Sequence, residues 1–160
     1  MRTATLVLLS SLAVGCDDIG DDGINVDTDG IPDDSDDDNI TTAWNANLTG
    51  VGPYSTISGS STVRQIINQG VFTAQITLRG DFPAGALRPW HVHVGSCGTG
   101  GAIVGNPASY PTLIVGGDGF AQADARVDFQ LDPAAPYHVN VHVDPSDLPT
   151  LIACGNLVLQ

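Results

Sequence analysis

Two short runs decide the fold: Trp90-His91-Val92-His93-Val94 and Tyr137-His138-Val139-Asn140-Val141-His142-Val143. In each, apolar and polar residues alternate one for one. A β-strand sends successive side chains to opposite faces, so this period is that of a strand and not of a helix. Trp90, Val92 and Val94 share one face, and His91 and His93 the other. Likewise Tyr137, Val139, Val141 and Val143 oppose His138, Asn140 and His142. Laid side by side, the two strands would gather imidazoles on the outer surface of a sheet.

The same texture extends outward from these runs. Ala121, Ala123, Ala125, Val127, Phe129 and Leu131 alternate with Gln122, Asp124, Arg126, Asp128 and Gln130. Further alternating or β-rich runs lie at Trp44–Leu48, 57–66, Val71–Leu78, 111–116 and 151–159, broken by Gly, Pro, Asn and Ser. No segment has helical periodicity. Counting the two histidine runs, about eight short strands fill residues 41–160. This predicts an all-β domain, an antiparallel Greek-key sandwich or flattened barrel, large enough to bury a core.

The remainder of the chain has another character. Residues 1–16 carry Arg2, an apolar stretch from Ala4 to Val14, and Gly15-Cys16, which is the pattern of an export signal and too short to span a bilayer. Ala13-Val14-Gly15-Cys16 resembles a bacterial lipobox, with Ala13 where Leu is more usual; that resemblance implies lipidation of Cys16. The alternative is an ordinary signal peptide cut nearby. Either way the chain is exported, and a lipid on Cys16 would anchor it to a membrane of the bacterial cell envelope, inner or outer. Cys97 and Cys154 then remain as an even pair in an oxidising compartment, either bridged or two buried thiols. A bridge would contribute about 4 kcal/mol through the long loop it closes.

The net charge of −13 is concentrated in one place. Eleven of the eighteen acidic residues, all of them Asp, lie between Asp17 and Asp38. Residues 17–40 therefore read as a disordered acidic linker, and a chain with this balance is not a nucleic-acid binder. Within the linker, Asp27, Asp29, Asp33 and Asp36 around Gly30 resemble the calcium-binding aspartate pattern of thrombospondin type 3 repeats. Alternating hard oxygen ligands about a glycine turn suit Ca²⁺. A single copy also fits a solvated spacer.

Strand geometry sorts the histidines. Residues two apart on a strand lie about 6.6 Å apart and residues four apart about 13 Å. His91 and His93 can close on one ion, whereas His138 and His142 are too far apart on a straight strand to do so together. His142 is followed by Val143-Asp144-Pro145-Ser146-Asp147 and so stands where a strand runs out into a loop, which makes His91, His93 and His142 the trio expected to bind metal. His138 and Asn140 are weaker candidates, and His138 is expected to be a surface or hydrogen-bonded residue. Three imidazoles with an open position suit copper, or else zinc.

Trp90-His91-Val92-His93 with Cys97, His142 before Asp147-Leu148, and Ala153-Cys154-Gly155 together resemble the copper/zinc superoxide dismutase framework over residues 42–160. Tyr137-His138-Val139-Asn140-Val141-His142 also resembles the signature of CHRD (chordin-type) domains. The dismutase resemblance implies copper ligation by His91, His93 and His142 and a Cys97–Cys154 disulfide. It also implies zinc ligands, a bridging histidine and a guiding arginine, which this chain lacks. Gly98 to Gly117 contains no His, Asp, Glu or Cys, and the arginine position holds Leu151. Dismutation needs positive charge near the metal to capture an anion, and the loop Val143–Thr150 is short. The resulting expectation is a lipid-anchored metal-binding β domain without efficient catalysis. A copper-only superoxide dismutase and a metal-free envelope module are the alternatives.

Overall fold

A computed structural model of the chain describes residues 41–66 and 69–160, which lie within the compact unit Asp37–Gln160. The export signal, Cys16, the linker and its aspartates Asp27, Asp29, Asp33 and Asp36 lie outside the described residues.

Nine strands are present among the described residues: β1 Thr41–Gly50, β2 Ser58–Ile66, β3 Val71–Arg79, β4 Leu87–Arg88, β5 Trp90–Val94, β6 Leu113–Ile114, β7 Phe120–Val127, β8 Tyr137–Asp144 and β9 Asp147–Leu159. Seven of them form one antiparallel sheet in the order β5-β8-β9-β1-β2-β3-β7, curled into a half-barrel, while β4 and β6 pair separately. The fold is all-β, as the alternation predicts. The eight expected runs correspond to β1–β3 and β5–β9, and the two-residue β4 is additional.

The core fills the concave side. Trp44, Leu48, Val63, Phe72, Ile76, Leu78, Trp90, Val92, Val139, Val141 and Ile152 are each almost wholly buried there. These are the inward members of the alternating runs, and burying them drives the curl; each full apolar side chain contributes about 1.5–3 kcal/mol. Ser61 and Gln65 are the polar residues on this inward face of β2, and the Ser61 hydroxyl donates to the Gln75 carbonyl at 2.9 Å. Gln65 is also well satisfied. Its Nε2 donates to the Val71 carbonyl at 2.7 Å, and its Oε1 accepts from Leu131 N at 2.8 Å.

Two local features differ from expectation and both bear on the histidines. The expected loop Val143–Thr150 is instead a tight turn. β8 runs on to Asp144, which pairs with Asp147. Asp144 Oδ1 accepts from the backbone N–H groups of Ser146 at 2.7 Å and Asp147 at 3.1 Å, which fixes the turn. β8 is also not half-exposed: from Tyr137 to His142 every residue is buried. The apolar face lies on the core. The polar face is covered because the segment after β5 folds back across it, held by the Cys97–Cys154 disulfide, whose Cα atoms are 5.9 Å apart.

Candidate metal centre

The site is built on adjacent strands. β5 and β8 pair with His91 opposite Asn140 and His93 opposite His138. β9 continues the face, setting Cys154 opposite Asn140 and Asn156 opposite His138. Paired residues of antiparallel strands point to the same side. The four histidines, Asn140 and Cys154 therefore share one face, opposite the core.

A bulge aims His142. Val141 faces Ala153 but His142 faces Leu151, so Ile152 is an extra residue in β9 and the register shifts there. A bulge bends the strand and increases its local twist, which redirects neighbouring side chains. The His142 backbone N–H donates to the Pro89 carbonyl at 2.8 Å, keeping it beside β5. Its ring then lies 5.3 Å from that of His91 and 6.2 Å from that of His93, centroid to centroid.

One nitrogen from each of His91, His93 and His142 lies within 4.8 Å of the others. His91 Nδ1 and His142 Nε2 are 3.3 Å apart. Imidazole nitrogens bound at 2.0–2.1 Å to one tetrahedral ion are about 3.3 Å apart, so this pair already has the spacing of two ligands. His93 Nδ1 donates to the Gly101 carbonyl at 2.9 Å, which fixes the tautomer and leaves the Nε2 lone pair available. That Nε2 is buried and has no hydrogen-bond partner. The donor set that fits a metal is thus His91 Nδ1, His93 Nε2 and His142 Nε2.

The electrostatics favour neutral rings, the form that ligates. Burial pushes His91 down to about 4, assisted by the neighbouring His142 and His93. Burial also lowers His93, against the opposing Gly101 carbonyl and with a smaller contribution from His138. His142 is lowered by burial, with a smaller contribution from His93, and its Nδ1 is buried without a hydrogen-bond partner. A ring that sheds its proton in the fold keeps its lone pair for an ion at neutral pH.

His138 corrects an expectation. It is 0 % exposed, and neither ring nitrogen has a hydrogen-bond partner. It is therefore neither a surface residue nor a hydrogen-bonded one. Its ring stacks on that of His93 at 5.4 Å with planes 24° apart, and it falls outside the three-histidine group. The histidine face as a whole is likewise buried, not an outer surface: His91, His93 and His142 are only 5–7 % exposed. Asn140, the other weaker candidate, is buried between His91 and Cys154, with Oδ1 unpartnered.

Other residues shape the site without a signal that the sequence reading used. Gly101 supplies the carbonyl on His93, and a Cβ at that position would run into the Val94 carbonyl. Tyr110 presents its ring edge-to-face to both His91, at 5.3 Å, and Trp90, at 5.2 Å, while its hydroxyl donates to the Val104 carbonyl at 2.7 Å. Cys97 N–H donates to Asn156 Oδ1 at 2.8 Å, adding a hydrogen bond beside the disulfide that holds the covering segment down. Arg88 Nη1 donates to the Val143 carbonyl, and its guanidinium lies 4.7 Å above the Phe82 ring.

No protein-family model matches the chain, and no curated protein matches it.

Proposed function

We propose that this protein is an exported, lipid-anchored envelope protein that binds one copper ion through His91 Nδ1, His93 Nε2 and His142 Nε2. The observation that carries this reading is the 3.3 Å approach of two of these nitrogens beside a buried, unpartnered third. Leaving His93 Nε2 dry and unpaired costs about 1–3 kcal/mol, and an ion offsets that cost. The dismutase-like sequence signature agrees with this ligand set. Three imidazoles and no thiolate or carboxylate suit copper, with zinc the competitor.

The same reading makes the protein a binder and not an efficient enzyme. Leu151, standing where the resemblance places a guiding arginine, pairs with His142. The turn Asp144–Asp147 replaces the long charged loop. Superoxide would meet one arginine, Arg88, tied to the Val143 carbonyl and the Phe82 ring, in place of a cationic funnel, and a copper-loaded protein is expected to clear it no faster than free copper.

The experiment is copper titration of purified, metal-stripped protein, followed by calorimetry and thermal melting. Uptake should approach one Cu²⁺ per chain and be lost in His93→Ala but kept in His138→Ala. At a free metal concentration of about 100 Kd, binding stabilises by about 2.7 kcal/mol, a rise in Tm of about 10 °C for a domain of this size. Equal loss in the two variants, or no uptake at micromolar copper or zinc, would overturn the reading.

A further inference from the structure

A second constellation lies at the other end of the sheet, on the outward face of β2, β3 and β7. Arg64 faces Thr73 across β2 and β3, and Thr73 faces Arg126 across β3 and β7. The two arginines thus flank one threonine, with Cα atoms about 10 Å apart across two strand spacings. They are two of the four arginines in residues 41–160. Among the described residues, neither forms a salt bridge or a side-chain hydrogen bond. A groove of 470 Å³ opens here, lined by Thr62, Arg64, Thr73, Gln75, Asp124 and Arg126 together with the backbone side of Ala74 and Ala125.

The next row along the strands specifies what else the groove can take. Thr62 faces Gln75, and Gln75 faces Asp124. The Thr62 hydroxyl spends its proton on Asn45 Oδ1 at 2.9 Å, so toward the groove it offers lone pairs. Gln75 Nε2 donates to Asp124 Oδ1 at 3.1 Å, which leaves the amide oxygen and the remaining carboxylate lone pairs as acceptors. One half of the groove therefore offers two guanidinium forks, which suit an oxyanion. The other half offers mainly acceptors, which suit hydroxyl donors. A bare anion would satisfy the arginines but bring no donors to offset the nearby Asp124 carboxylate or to meet Thr62 and Gln75. A neutral polyol would leave both arginines unused.

We propose that this groove binds an acidic saccharide. The carboxylate or phosphate of the sugar sits between Arg64 and Arg126 over Thr73, and its ring hydroxyls donate to Thr62, Gln75 and Asp124. The volume matches a site for one small ligand. This inference is independent of the metal centre, which lies on β5 and β8.

The test is titration of the full chain, followed by calorimetry and by NMR shifts, with four probes: glucuronic acid, glucose 6-phosphate, glucose and inorganic phosphate. The expected result is binding of either acidic sugar with Kd near or below about 1 mM. Glucose and inorganic phosphate should each bind about tenfold more weakly or worse. Which acidic sugar is preferred identifies the source of the oxyanion. Arg64→Gln and Arg126→Gln should each weaken the acidic sugar about tenfold, and Arg64→Lys, which keeps the charge but not the fork, by less. Both arginines are exposed, so melting temperature and copper uptake should stay at wild-type values and report an intact fold. The proposal is overturned by failure of both acidic sugars to bind, by glucose or phosphate binding equally well, or by binding that survives both glutamine substitutions.

Discussion

Replacing His138 with leucine should stabilise the protein, although it removes a buried residue from the middle of a strand. His138 is 0 % exposed, and Nδ1 and Nε2 both lack partners. A neutral imidazole carries one N–H donor and one acceptor, so two polar groups are desolvated without compensation. Each costs about 1–3 kcal/mol relative to a satisfied group. Leucine has a similar volume and no polar atom. Against this gain stands the stack on His93, worth about 0.5–1 kcal/mol by analogy with aromatic pairs. The net expectation is about 2 kcal/mol of added stability, which corresponds to about 8 °C in Tm for a domain of roughly 120 residues. Equilibrium urea unfolding with a chelator present measures it free of metal linkage. The midpoint should rise at unchanged slope, and copper affinity, measured separately, should fall by no more than about fivefold, the worth of the lost stack on His93. A loss of 1 kcal/mol or more would refute the account of His138 as an uncompensated polar group.

Acid should weaken the metal-free fold. His91, His93 and His142 bind protons less readily in the fold than in the unfolded chain, where their pKa is near 6.5. Below that value the unfolded chain takes up more protons, so stability is fully present above pH 6.5 and declines as pH falls through the folded values. For His91, held down to about 4, the decline is complete only below that pH. After allowance for solvent screening, that residue alone should account for about 2 kcal/mol, and a urea midpoint independent of pH over this range would exclude the effect. Cys97→Ser should lower stability by about 4 kcal/mol, since the native bridge closes a separation of 57 residues. Thiol titration should then find Cys154 free, and two thiols in the unreduced wild type would contradict the bridge. Gly101→Ala should reduce copper affinity about 10- to 100-fold by displacing the carbonyl that orients His93. Competition with a chelator reads this directly, and wild-type affinity would show that the carbonyl is dispensable.

The strands were legible because alternation in this chain is strict, and the apolar members of each run are the ones found in the core. Alternation was less informative about what lay on the other side. In β8, polar residues alternate with apolar ones, yet His138 and Asn140 are buried too, because the segment after β5 returns over them. The pattern distinguishes two environments without saying that one is water. The trio His91, His93 and His142 was readable from strand spacing together with the place of His142 at a strand end, but the device that brings His142 toward His91 was not. Ile152 becomes an extra residue only when β8 and β9 are paired, so the bulge belongs to the register and not to either strand alone. Gly101 was hidden for a different reason: its contribution is a backbone carbonyl within a glycine-rich stretch. The two-residue β4 was missed because so short a run has no period to detect.

The covalent bridge has a further consequence for how the chain finds its fold. Along the backbone His93 and His142 are 49 residues apart, but His93 lies four residues from Cys97 and His142 twelve from Cys154. In the oxidised unfolded chain these two imidazoles are therefore near neighbours by the shorter route through sulfur. Loop-closure entropy grows with the logarithm of the path, so their encounter costs about 1 kcal/mol less than in the reduced chain. The oxidised protein should consequently pair β5 with β8 early during refolding, while the reduced chain must search for that long-range contact and should refold more slowly.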